Sequence, residues 1–293
     1  MHTLILGLLL LSVLGFLVPG VQRRSRSLLQ SRPVLLFAAP AGLGLIFCVL
    51  AASVDAFSVP LALLVFAYLF APAVVAFRLG ATILKRPSWL DFAIILMLWL
   101  PLEFAAGQHL VPKPAQGFLH SVAYGIGILI ALVIFVSFRA MPGMRYNLAR
   151  PVDLGYGVVG FLITAPVLIV VGLWLGFIPP FHMPAHPSAT RMASTFLVIF
   201  VGTALPEEIL FRSLIQNWFT QRYGFSIATL LIAGFIFGAA HLDNGPQPQP
   251  NWRYMILATI AGVAYGKVFQ KSSSVFSSVT FHALVDATKH VFF

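Results

Sequence analysis

The sequence contains few charged residues, and acids are the rarest of them. Asp, Glu, Lys and Arg make up 9% of the 293 residues, only eight residues are acidic, and 59% of the chain is hydrophobic. Soluble domains carry about 25% charged residues. This shortage excludes a water-soluble globular fold. We predict an all-α membrane protein, a polytopic transmembrane helix bundle of eight to ten spans at about 20 residues each.

Cysteine is almost absent. The single cysteine, Cys48, lies inside an apolar run, which excludes a disulfide framework and a thiolate zinc site. The first apolar stretch, Leu4 to Val18, lacks the basic flank and the small-residue cleavage site of a signal peptide. We therefore interpret it as a retained first span.

Basic residues exceed acids, and the formal net charge is +10. Their placement argues against a nucleic-acid partner, because they occupy alternate gaps between apolar runs, as the positive-inside rule describes. This pattern predicts cytoplasmic basic loops, an N-terminus outside, a bacterial inner membrane and contact with membrane lipid. The basic residues concerned are Arg23, Arg24, Arg26 and Arg32, then Arg78, Lys85 and Arg86, then Arg139, Arg145 and Arg150, then Arg222, then Lys267 and Lys271.

The chain divides into two regions according to where its polar motifs lie. Residues 1–190 form a predicted N-terminal transmembrane region with no motif that assigns a role. Residues 191–293 form a predicted catalytic core of four transmembrane helices. The predicted spans are 3–20, 34–54, 57–77, 90–106, 118–138, 154–178, 192–220, 226–242, 254–269 and 274–292.

Two of the three glutamates, Glu207 and Glu208, are adjacent in an apolar stretch. A carboxylate at membrane depth costs several kcal/mol, so such residues indicate a functional site. Glu208 and Arg212 are four residues apart on one helix face, where an ion pair lowers the cost of burial. Glu207 projects about 100° away and suits a general base or a metal ligand. Pro206 removes a backbone hydrogen bond beside the pair, which predicts a bend.

Two later spans carry further polar pairs at helical spacing. They are Phe237 with His241, and His282 with Asp286. At 1.5 Å per residue, Glu207 and His241 each lie about 25 Å from the turn that joins their helices, so antiparallel packing brings them level. A structural ion-pair cluster and an intrahelical His282–Asp286 hydrogen bond are the simpler interpretations of the same spacing.

Glycine pairs in two late spans predict close helix packing. Gly234 and Gly238 are four residues apart, as are Gly262 and Gly266. Small residues at this spacing let helix backbones approach each other in a membrane. We expect them to pack these last helices within the chain.

The ordered set of Glu207-Glu208-x-x-x-Arg212, Phe237-x-x-x-His241 and His282-x-x-x-Asp286 resembles the three motifs of the CAAX-protease and bacteriocin-processing family of intramembrane proteases. The resemblance covers about residues 192–292. It implies peptide-bond hydrolysis in a membrane-embedded or lipid-anchored, CAAX-like peptide. It also implies that Glu207 and His241 activate water, that Glu208 and Arg212 brace the site, and that His282 and Asp286 stabilise the oxyanion.

The sequence departs from that family at one position. The family commonly has Asn where this chain has Asp286, and an ionised Asp cannot donate a hydrogen bond. Asp286 would then accept a ring N–H of His282, which would itself donate to the oxyanion. A protonated Asp286 in an apolar site is the alternative.

Other functions remain open. Glu207, His241 and His282 are two histidines and one carboxylate, a set that holds catalytic zinc in other enzymes. The absence of a His-Glu-x-x-His helix favours catalysis without a metal. A non-catalytic membrane scaffold would retain the motifs as structure. A transporter would show inverted repeats, and the sequence has none. The oligomeric state is not predicted.

Overall fold

The computed structural model describes residues 2–184, 188–245 and 248–293, and their regular elements are helices without strands. This confirms the predicted all-α class. The helices are α1 His2–Gly15, α2 Pro19–Ser31, α3 Pro33–Ala52, α4 Val59–Leu79, α5 Trp89–Glu103, α6 Lys113–Phe138, α7 Pro151–Trp174, α8 Ala189–Tyr223, α9 Ile227–Ala239, α10 Trp252–Lys271 and α11 Phe276–Phe292.

Fewer helices are long and apolar enough to cross a membrane than the eight to ten predicted. Within the described residues five qualify, namely α3, α4, α6, α7 and α8, and α1 with α2 makes a sixth candidate that is bent by 80°. Helices α5, α9 and α11 coincide with predicted spans but have 15, 13 and 17 residues. Helix α10 is long enough with 20 residues, but it is not apolar enough. The chain is a multi-pass membrane protein.

The first predicted span, 3–20, is wrong at its end. Helix α1 stops at Gly15, and the chain turns before Pro19 starts α2. Helix α2 is amphipathic and carries three arginines, so it does not continue the apolar span. The physical reason is that Pro suits the first turn of a new helix, where its missing N–H costs nothing.

The chain forms two compact units, Met1–Gly143 and Met144–Phe293. In the first unit, Arg139 donates to buried Asp91 at 2.9 Å and to the carbonyls of Leu79 and Gly80. This buried ion pair joins α5 to the end of α6. The first unit holds none of the motif residues.

In the second unit, α7 packs against α10 and α11. Buried Asp153 accepts hydrogen bonds from the backbone N–H and the hydroxyl of Ser273, at 2.7 and 2.8 Å. These bonds hold the start of α7 against the turn that precedes α11. Several side chains along α7 are exposed and apolar, as expected for a lipid-facing helix; they include Val159, Leu162, Ile163 and Val170.

The glycine pairs pack α9 against α10, as predicted. A Cβ atom added to Gly234 would lie 2.5 Å from a methyl of Val263, and one added to Gly262 would lie 2.9 Å from the Phe237 ring. A Cβ atom on Gly238 would lie 2.7 Å from the carbonyl oxygen of Met255. The two helices therefore touch backbone to backbone, and this contact sets the position of Phe237 and His241.

Candidate active site

Helix α8 is wound more widely on both sides of the glutamates. The segments Phe200–Ala204 and Ile209–Gln216 are π-helix, and Leu205–Glu208 between them is α-helix. The N–H of Leu205 donates to the carbonyl of Phe200, five residues earlier. Wide turns of this kind are frequent at functional sites. The helix thus accommodates the missing N–H of Pro206 by widening on both sides of the glutamates.

Glu208 is the centre of a buried polar cluster. Its carboxylate accepts a hydrogen bond from Arg212 Nε at 2.9 Å, and both side chains are fully buried. Its second oxygen lies 3.1 Å from His282 Nδ1. The ion pair predicted from the four-residue spacing is present, and a bond to α11 adds to it. One carboxylate therefore joins the first and third motifs.

The opposite edge of the His282 ring, at Nε2, faces two more carboxylates. His282 Nε2 lies 3.4 Å from Asp286 Oδ2 and 4.0 Å from Glu207 Oε2. Asp286 and Glu207 have side chains that are 30% and 24% exposed, whereas the His282 side chain is 4% exposed. Three acids thus surround one imidazole, and two of them reach open space. Spacing alone predicted the Asp286 contact but not the contact with Glu208.

His241 follows the end of α9 and is held by a residue of that helix. Its Nδ1 lies 2.8 Å from the carbonyl oxygen of Phe237. A carbonyl only accepts, so Nδ1 carries the hydrogen and donates it. Nε2 is then the ring atom that can accept a proton. The imidazole also meets the Tyr254 ring edge to face, with 4.6 Å between centroids.

Aromatic rings fill the space between the motif residues. Phe237 lies 4.7 Å from the His241 ring and 5.8 Å from the His282 ring, centroid to centroid. The Arg212 guanidinium lies 4.7 Å from the Phe237 centroid. Tyr265 stacks on His282 at 4.9 Å. This contact is attractive for a cation and keeps water from the buried charges.

Residues of the second and third motifs border one cavity of about 90 Å³ in the second unit. His241, His282 and Asp286 are among its lining residues, and apolar side chains from α7, α10 and α11 supply most of the rest. A water molecule takes up about 30 Å³, so the space admits a few waters. The structure therefore brings His241 to the same cavity as the third motif, and His282 links that cavity to Glu207.

Zinc coordination by Glu207, His241 and His282 was the alternative that their residue types suggested. Among the described residues no group of three or more His, Cys, Asp and Glu side chains is arranged to hold a metal ion. Within that part of the chain, Glu207, His241 and His282 are not arranged as such a group. We derive no step through a metal.

Three aromatic or basic residues of the site were not predicted from the sequence. Tyr254 and Tyr265 belong to α10, to which only a packing role was assigned. Lys289 lies in the last turns of α11, and its ammonium lies over the rings of Phe177 and Tyr254. Its spacing from His282, seven residues on one helix face, is the signal that places it with the motif.

A comparison with protein families matches residues 189–288 to the family described as Type II CAAX prenyl endopeptidase Rce1-like. Neither the comparison with curated proteins nor that with solved structures found a match. The matched residues contain all three motifs. A domain of this kind implies a protease and hence a peptide substrate. The chain therefore carries, over residues 189–288, a domain of the Rce1-like type II CAAX prenyl endopeptidase family.

Proposed function

We propose that the protein is an intramembrane endopeptidase that hydrolyses a peptide bond in a hydrophobic or lipid-anchored, CAAX-like substrate. One observation carries the proposal. The Glu208 carboxylate binds Arg212 and His282 in a fully buried cluster, and His282 also faces Glu207 and Asp286. Burying Glu208 and Arg212 and placing two further acids beside them is costly, and packing alone does not require it.

Glu207 and His241 are the proposed bases. Glu207 is partly exposed, and the Nε2 of His241 has its lone pair available. Together they take a proton from water, and the resulting hydroxide adds to the carbonyl carbon of the scissile bond. When the tetrahedral intermediate collapses, the C–N bond breaks and the same proton passes to the leaving amine. The carboxylic acid that forms passes its proton to the amine, so the products are a carboxylate and an ammonium group.

His282 is the proposed donor to the oxyanion. Its Nδ1–H donates to Glu208, which fixes the ring, and Nε2–H points to the side where Asp286 and Glu207 lie. Both ring nitrogens carry hydrogen in this role. A donor fixed before the reaction stabilises the oxyanion without a reorganisation cost. Asp286 is 3.4 Å from Nε2 and holds the imidazole in place until the oxyanion forms.

Glu207→Gln tests the proposal directly. The variant keeps the shape of the side chain but removes the base, so we expect cleavage to fall by about 10²- to 10⁴-fold. The measurement is the rate at which purified protein in detergent cleaves a fluorescent peptide with an S-prenylated cysteine near its C-terminus. Glu103→Gln is the matched control, because Glu103 is the one glutamate outside the motif. This substitution should leave the rate unchanged.

Three results would argue for another function. A Glu207→Gln protein that cleaves at the wild-type rate would refute the role of this base. Loss of cleavage with a chelator, restored by added zinc, would replace the metal-free mechanism with a metalloprotease. A scaffold would show no cleavage by the wild type and equal partner binding by both proteins.

A further inference from the structure

The cavity beside the motif residues has a basic group at its edge. Lys289 lines this cavity and is exposed. Its Nζ lies 4.5 Å from the Phe177 centroid and 4.8 Å from the Tyr254 centroid, and these two rings stack on each other at 4.8 Å. The rings hold the ammonium in place. Tyr254 also packs against His241, so the same pair connects the basic group to the candidate base.

Within the described residues no carboxylate lies within ion-pair distance of Lys289. Asp286 precedes it by one helical turn and lies 3.4 Å from His282. The two aromatic rings stabilise the ammonium by cation–π contacts. An ammonium also has three N–H donors, and aromatic rings accept hydrogen bonds only weakly. The remaining donors are therefore open to an anion, which forms a charge-assisted hydrogen bond with them.

The position of Lys289 limits where that anion lies on a substrate. His282 and Lys289 are seven residues apart on α11, about 10.5 Å along the helix axis and on the same face. An extended peptide covers about 3.3–3.6 Å per residue. A group bound by Lys289 is therefore about three residues from a carbonyl that reacts beside His282.

We propose that Lys289 is a specificity-determining residue that binds a substrate carboxylate about three residues from the scissile bond. This inference rests on the proposed function. The carboxylate comes from the C-terminus of the peptide or from an acidic side chain, and the chemistry of recognition is the same for both. Neutral peptides of the same length bind less tightly.

The experiment compares Lys289→Met with the wild type. Methionine keeps an unbranched stem over the two rings but removes the charge. The probes are three peptides with one S-farnesyl cysteine followed by three residues: one ends in a carboxylate, one in a carboxamide, and one in a carboxamide after an acidic third residue. Lys289→Arg should restore the preference, and Lys267→Met, an exposed lysine on α10, is the matched control.

We expect the wild type to prefer at least one of the two acidic probes over the plain carboxamide by about 10- to 100-fold in kcat/KM, chiefly through KM. Lys289→Met should lower kcat/KM for the preferred acidic probe to the value for the plain carboxamide. Preference for the terminal carboxylate identifies the C-terminus as the source, and preference for the acidic side chain identifies the alternative. Equal loss on all three probes would overturn the proposal and indicate a structural role.

Binding separates this inference from the proposed function. The affinities of the three probes are measured by fluorescence anisotropy with the Glu207→Gln protein, with and without Lys289→Met. A preference for an acidic probe that depends on Lys289 would support the inference even if the wild type cleaved nothing. Cleavage by the wild type without any acidic preference in rate or affinity would overturn the Lys289 inference and leave the proposed function standing.

Discussion

Glu207 and Glu208 are neighbours in the chain but differ in surroundings. Glu208 is fully buried and bound on two sides, whereas the Glu207 side chain is 24% exposed. The first is therefore part of the framework, and the second is open to water and substrate. Substitutions at these two adjacent positions should therefore differ in their effect on the free energy of unfolding.

Glu208→Gln should destabilise the fold, because it leaves the buried Arg212 cation without its counter-charge. Breaking a buried pair by removing one partner costs about 3–5 kcal/mol. The free energy of unfolding is measured by denaturant titration in detergent. Glu207→Gln should change it by less than about 1 kcal/mol. Equal unfolding free energies for the two variants would contradict this assignment.

The double variant Glu208→Leu with Arg212→Met provides the coupled control. Replacing both members of a buried ion pair by apolar groups is often close to neutral. The double variant should therefore be more stable than Arg212→Met alone, although His282 still loses the partner of Nδ1. Additive losses would show that the two charges are not coupled.

Helices α9 and α10 pack closely because the residues at their contact are glycines, which have no side chain. The Cβ positions of Gly234, Gly238 and Gly262 are occupied by atoms of the facing helix or its neighbours. Helix α9 also carries Phe237, and His241 follows its last residue by two positions. The spacing of these two helices therefore controls how far His241 stands from the rest of the site.

Gly238→Ala should push α9 away from α10, since its new methyl would meet the Met255 carbonyl oxygen at 2.7 Å. Overpacking of this kind costs about 1–3 kcal/mol, and cleavage should fall with it. Gly155→Ala on α7 is the matched control, because nothing among the described residues lies within 4 Å of its new methyl. The control should gain about 0.5–1 kcal/mol. Thermal unfolding of both variants is the measurement, and a stable Gly238→Ala protein would contradict the packing argument.

The alternation of basic loops predicts how the whole chain is oriented across the membrane. Introduced cysteines report it in a Cys48→Ala background, because Cys48 is the only native cysteine. Ser27 lies beside basic residues on α2 and Gln108 lies in a gap poorer in them, and both are exposed. In intact cells a membrane-impermeant maleimide should label Gln108→Cys and not Ser27→Cys. The reverse result would invert the predicted topology.

The helical class, the positions of most helices and the motif residues were predictable from the sequence. Apolar runs of span length have few other folds in lipid, because the backbone must satisfy its own hydrogen bonds there. The Glu208–Arg212 pair was predictable as well, since four residues return to one helix face. These features depend on local spacing, which a sequence displays directly.

Contacts between distant segments were decided by the tertiary structure. The bond from His282 to Glu208, the placing of Lys289 over Phe177 and Tyr254, and the stacking of Tyr265 on His282 each join separate helices. The widening of α8 beside Pro206 was also not predicted, since local rules indicated only a bend. Such contacts depend on how helices rotate and cross, and those angles follow from the packing of all side chains together rather than from any one spacing.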